Sequence, residues 1–132
     1  MKQEIFKSDR YFTLFDIVIS HGQLLLRSQK TPENEDNIDI IFSDTNYIQT
    51  FSRLRGICIK KIQNSKDIIS YGTVEKYLSY DNNNIFEIES NGERYYIAAS
   101  FVKVFENKLE FNESSLNFGN NGREREIASS IN

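Results

Sequence analysis

Residues 85–98 read IFEIESNGERYYIA, and the Asn91-Gly92 pair at their centre decides the fold class. Asn-Gly adopts the two positive φ angles of a type I′ turn, whose twist matches that of paired antiparallel strands. Folding the segment about this turn sets Phe86 opposite Ile97 and Ile88 opposite Tyr95 on an apolar face. Glu89 then faces Arg94, and Glu87 faces Tyr96, on a polar face. Alternation on both arms and a complementary charge pair agree on one register.

Moving towards the N-terminus, Tyr11 to Ser20 is rich in aromatic and β-branched residues and is expected as a strand. His21-Gly22 supplies a second two-residue turn, with Gly accepting positive φ. The register this implies pairs Ile19 with Leu24 and Ile17 with Leu26, on a core face shared with Phe15. Val18 then pairs with Leu25, and Asp16 with Arg27, on the other face. Residues 28–37 are polar and hold Pro32, the one proline, so they read as a surface loop. Ile38 to Ser43 is the next strand, with Ile38, Ile40 and Phe42 on one side.

Asp44 is placed to cap a short helix carrying Tyr47, Ile48, Phe51 and Leu54 at helical spacing, with Gly56 as its stop. Ile57 to Ile62 returns as a strand with Ile57 and Ile59 inward. Residues 63–81 fit a ragged helical stripe or strands on either side of Gly72, and strands are favoured because Gly weakens a helix. Phe101 to Phe105 alternates, and Asn107-Lys108 turns the chain into Leu109 to Phe111. Beyond Asn112 the pattern decays, with a breaker at Gly119 to Gly122.

The expected fold is mainly β: an antiparallel meander forming a sandwich or partly open barrel, with one short helix. The alternative is an α+β variant, since strand–helix–strand from Ile38 to Ile62 is close to the shortest parallel crossover. Residues 1–111 form a single β-rich domain, and 112–132 a C-terminal tail, mobile or marginally helical.

The chemistry is sparse. The 132 residues carry a net charge of −3 with both signs interspersed, and no basic run exceeds Lys60-Lys61, which argues against nucleic-acid binding. Met1-Lys2-Gln3-Glu4 leads into no apolar signal segment, and no apolar run is long enough to span a bilayer, so a cytoplasmic protein off the membrane is expected. His21, the only histidine, reads as a turn residue, and Cys58, the only cysteine, as a small apolar strand residue. Glu87 and Glu89 lie two residues apart on one strand face, roughly 7 Å, a spacing a carboxylate pair can use. Arg94 opposite Glu89 would lower its pKa and unfit it as an acid, so a solvated polar face is the simpler reading. Glu33, Glu35, Asp36 and Asp39 lack the glycine and alternation of a calcium loop. No phosphate-cradling, zinc or nucleophile-elbow motif is present, and no cofactor or enzymatic activity is expected.

The tyrosines stand out. Tyr77, Tyr80 and Tyr96, with Glu87 and Arg94 beside Tyr96, make a candidate recognition patch, since Tyr offers rigid area with a polar tip. The expected function is a non-enzymatic protein that binds another protein, of an immunity or antitoxin kind. The alternative is a β domain holding a sugar, lipid or metabolite, with weak carboxylate chemistry. Homo-oligomer assembly through the tyrosine face is a third reading.

Overall fold

The structure is a computed structural model, and it describes residues 2–62, 84–116 and 124–131. The strands are β1 (Lys2–Val18), β2 (Gln23–Ser28), β3 (Asn37–Ser43), β4 (Tyr47–Gln49), β5 (Arg53–Ile62), β6 (Asn84–Ser90), β7 (Glu93–Ala99), β8 (Phe101–Asn107) and β9 (Glu124–Ser129). They form one antiparallel sheet in the order β4-β7-β6-β5-β1-β2-β3-β8-β9, not closed into a barrel. The mainly β reading is therefore correct. The expectations for residues 63–81 and for the breaker at Gly119 to Gly122 lie outside the described residues. No helix among the described residues is long and apolar enough to cross a membrane.

The sheet is folded over on itself. Phe42 of β3 and Phe86 of β6 are four strand spacings apart in the sheet order, roughly 19 Å if it were flat. Their ring centroids lie 5.8 Å apart. Chain connectivity demands the same bend, because Ser100 alone joins β7 near one edge of the sheet to β8 near the other. β1 makes the opposite side of the fold. Its Lys2–Thr13 stretch pairs with β5 and its Thr13–Val18 stretch with β2, so one long strand serves both halves. Irregularities between Glu4 and Phe6, Ser8 and Tyr11, and Leu14 and Asp16 let it turn.

Between the halves lies the core. Phe12, Leu24, Leu26, Ile38, Ile40, Phe42, Leu54, Ile57, Ile59, Phe86, Ile88 and Ile97 meet there with Ala99, Val102 and Val104. Those of β2, β3, β6, β7 and β8 alternate along their strands, in β5 the phase shifts between Leu54 and Ile57 at Gly56, and β3 and β5 present the inward residues expected of them.

The β6–β7 hairpin has the expected register, with Phe86 opposite Ile97, Ile88 opposite Tyr95, Glu87 opposite Tyr96 and Glu89 opposite Arg94. Asn91 and Gly92 have φ of 50° and 82°, as a type I′ turn requires. Three other expectations need correction. The β1–β2 connection is not a two-residue turn: Ile19–His21 form a 3₁₀ turn closed by Gly22 at φ 62°, and Gly22 N–H donates to Ile19 O. Ile17 consequently pairs with Leu24 and Val18 with Gln23, and Phe15 is the extra residue of a bulge. Phe15 leaves the core face, while Ile17 and Ile19 are exposed.

The helix expected after Asp44 does not form. Asp44 sits at φ 56°, accepts from Ser100 Oγ at 2.8 Å, and leads into β4, which pairs with β7. A strand edge supplies backbone partners that three turns of helix would otherwise have to supply internally. After β8 the chain leaves the sheet: Leu109 is buried, and Phe111 stands out at a turn. The described part of the expected tail is ordered on the sheet. β9 pairs with β8, and Ala128 packs against the core. Backbone ladder bonds are indifferent to side chain, so an irregular sequence can complete a sheet.

Candidate functional site

Tyr96 and Glu87 are 0% and 1% exposed, so they do not form the surface patch expected of them. The face opposite the core is itself buried here: Tyr96 joins Ile62, Ile85 and Ala98 in a second apolar cluster. Lys2 Nζ donates to Glu87 Oε2 at 2.9 Å, and Tyr96 Oη donates to the same oxygen at 3.5 Å. Arg94 is half-buried opposite Glu89, whose carboxylate lies 3.7 Å from Lys60 Nζ. The structure thus brings Glu87 and Tyr96 together in the interior. Tyr77 and Tyr80 lie outside the described residues.

His21 is exposed in its turn. Cys58 is buried, and burial, with Glu4 beside it, pushes its thiol up and away from the reactive thiolate. Among the described residues no group of three or more His, Cys, Asp or Glu is arranged to hold a metal ion.

Two clefts of similar volume lie on the described surface, one beside the β6–β7 turn and one, with the more apolar mouth, on the outer side of β1 and β2. The latter, of about 660 Å³, is lined by Arg10, Tyr11, Thr13, Leu14, Phe15, Arg27, Ser28, Gln29, Thr31, Asn34 and Phe111. Its floor is a buried polar network. Arg27, 0% exposed, donates from Nε and Nη2 to the two oxygens of Asp39 at 2.7 and 2.8 Å, and from Nη1 to Glu113 O at 2.6 Å. Asn107 Nδ2 donates to Asp39 Oδ2, and Asn37 Nδ2 donates to Asn107 Oδ1 and Leu109 O. A two-pronged ion pair with its remaining lone pairs satisfied is the arrangement that makes a buried charge tolerable.

The bulge at Phe15 is what places its ring over Arg27, with the guanidinium carbon 4.2 Å from the ring centroid. Phe111 meets Phe15 edge-on at 6.3 Å. Phe111 sits in the 108–116 segment, fastened to the sheet by Ser114 Oγ donating to Asp16 Oδ2 and by the Glu113 carbonyl on Arg27. On the cleft's other side Arg10 holds the 29–36 loop. Its Nε donates to Ser28 Oγ, and its Nη2 to the carbonyls of Ser28, Gln29 and Asp36. The cleft is therefore rigid below and apolar around its mouth, where Tyr11, Leu14 and Phe111 are 47%, 40% and 74% exposed.

Sequence reasoning misses this site for two reasons. A two-residue turn at His21-Gly22 puts Phe15 in the core, and it pairs Arg27 with Asp16 when the partner of Arg27 is Asp39. One signal is legible: Asp39 interrupts the run Ile38-Asp39-Ile40-Ile41-Phe42, and a carboxylate on a strand so apolar needs a buried cation.

Comparison with protein-family models, curated proteins and solved structures returned no match.

Proposed function

We propose that this chain is a non-enzymatic binding protein that engages another protein, in the manner of an immunity protein or antitoxin, and that the β1–β2 cleft is where it does so. The observation that carries this reading is the trio of exposed apolar side chains, Tyr11, Leu14 and Phe111, around a cleft whose floor is already fixed. Interface energy concentrates where a rigid pocket takes an anchoring side chain and the rim excludes water. The cytoplasm is the working compartment in this reading, where the lone thiol of Cys58 stays reduced.

The test compares tagged wild type with Phe111→Ser in lysate of the source organism. Phe111 is mostly exposed, so the substitution leaves the core alone. One stoichiometric partner, lost with Phe111→Ser and rebinding when both proteins are purified, supports the reading. Equal capture by both forms removes the cleft from it, and no partner at all removes the reading. Tyr96 is unsuitable for this purpose, because truncating a fully buried ring tests folding.

The small-ligand reading keeps one observation in its favour: the cleft's volume falls in the range of small-molecule sites, about 300–1,000 Å³. Its hydrolytic variant has no support from Glu87, whose carboxylate is buried against Lys2. Thermal-shift screening of sugars, lipids and metabolites separates this reading from protein recognition.

A further inference from the structure

Arg10 is held as though for a task it has not yet performed. Four oxygens, all uncharged, accept from its Nε and Nη2, which fixes the plane of the guanidinium. Its Nη1 has no partner among the described residues, and no carboxylate there lies within ion-pair distance of it. The contrast with Arg27 is direct, since Arg27 is neutralised by both oxygens of Asp39. Asp36 and Glu106 act on Arg10 only through space, and desolvation outweighs them, holding its pKa below the usual arginine value. Such a cation gains from an anion that arrives already positioned.

The surroundings specify that anion further. Among the described residues lining the cleft, Arg27 is neutralised by Asp39, Arg10 is not paired with a carboxylate, and no Asp or Glu side chain is present. Beside Arg10 stand Tyr11, Phe15 and Phe111, a shape for an aromatic or aliphatic side chain. We infer that the cleft recognises an acidic–apolar segment of a protein partner: an Asp or Glu carboxylate on Arg10 Nη1, with a neighbouring Phe, Tyr or Leu between Tyr11, Phe15 and Phe111. This rests on the protein-binding reading above and adds to it the chemistry of the partner. Arg10 is then the residue that sets specificity, and the aromatic rings supply contact area.

Random twelve-residue peptides displayed on phage and selected on the full chain test this. Selected sequences are expected to carry Asp or Glu within two residues of Phe, Tyr or Leu. Fluorescence polarisation then compares the selected peptide with its Asn or Gln counterpart. The amide form is expected to bind about tenfold more weakly or worse, the worth of one charge-assisted hydrogen bond. Arg10→Gln also loosens the 29–36 loop, so it is read as a cycle. It should weaken the acidic peptide more than the amide peptide, and equal weakening of both overturns the inference.

Selected peptides without acids, or equal affinity for acid and amide forms, overturn the inference. If such neutral peptides are still lost with Phe111→Ser, the protein-binding reading survives it. Selection of nothing also overturns the inference, and the lysate capture then decides the broader reading by itself. Phenylpropanoate binding as tightly as the peptide makes the site one for small carboxylates and overturns the choice of partner.

Discussion

The β6–β7 and β1–β2 hairpins look alike in sequence and are built on different principles. Both have strands of β-forming residues around a glycine-containing dipeptide. In β6–β7 the dipeptide determines everything: Asn91-Gly92 makes the turn, and every expected pair follows. In β1–β2 the dipeptide determines little. Gly22 closes a longer loop, Phe15 bulges out, and the pairing of Ile17 moves by two residues, from Leu26 to Leu24. The register there comes from a distance. Phe15 sits on Arg27, Arg27 on Asp39 of β3, and Asp16 receives Ser114. A turn that carries its own geometry is legible locally, whereas a turn that yields to tertiary partners is not.

Substitutions can sharpen this contrast. The largest effect is expected from Asp39→Asn, which strands the Arg27 guanidinium in the interior. Breaking a buried pair from one side costs about 3–5 kcal/mol. Urea unfolding should show that loss, and the double substitution Asp39→Leu with Arg27→Met, which removes both charges, should recover much of it. Little loss on Asp39→Asn would mean that the ion pair does not hold the first hairpin.

Next comes Gly22→Ala. A Cβ there would lie 3.0 Å from Thr45 N and 3.2 Å from Asp44 Cα, backbone atoms that cannot swing aside, at φ +62°. Clash and left-handed strain together should remove about 2 kcal/mol or more. Gly92→Ala has the same φ problem with nothing within 4 Å of the new Cβ, so about 1 kcal/mol is expected. The comparison fails if Gly92→Ala is the more damaging of the two in parallel urea titrations.

The smallest effect should be a gain. Burial, and then Asp39, hold the Glu124 carboxyl above the usual carboxylate range. A carboxyl raised on folding is bound to its proton more tightly in the folded form. Stability therefore falls as pH rises from the unfolded value through the folded one, and the penalty persists above it. Glu124→Gln should raise the melting temperature slightly at about pH 7, where the unfolded carboxyl is ionised. The gain should vanish in acid, below the ordinary glutamate pKa of about 4.3. An equal gain at both pH values would show that the charge is not its cause.

Much of the fold is legible because one face of most strands alternates. Ile38, Ile40 and Phe42, or Ile57 and Ile59, announce an inward side whichever neighbour they eventually meet. What alternation cannot announce is a second buried face. Glu87, Tyr96 and Asp39 look like solvent residues in a period-two pattern, and all three are interior. The helix expected after Asp44 fails likewise, because Tyr47, Ile48 and Phe51 fit a helical stripe while the edge of β7 is invisible in the sequence. Of the cleft, Arg10 cannot be found from spacing, since its four acceptors come from β2 and the loop that follows it.

The divided pairing of β1 has a consequence for synthesis. Its Thr13–Val18 half finds β2 almost as soon as both have been made, but its Lys2–Thr13 half waits for β5, with β2, β3 and β4 to be translated first. At about 5–20 residues per second that is an interval of seconds. Through that interval Ile5, Phe6 and Phe12 belong to a strand whose β5 partner does not yet exist. A nascent chain of this protein therefore passes through a stage in which a chaperone, or another nascent copy, competes with its own unmade strand.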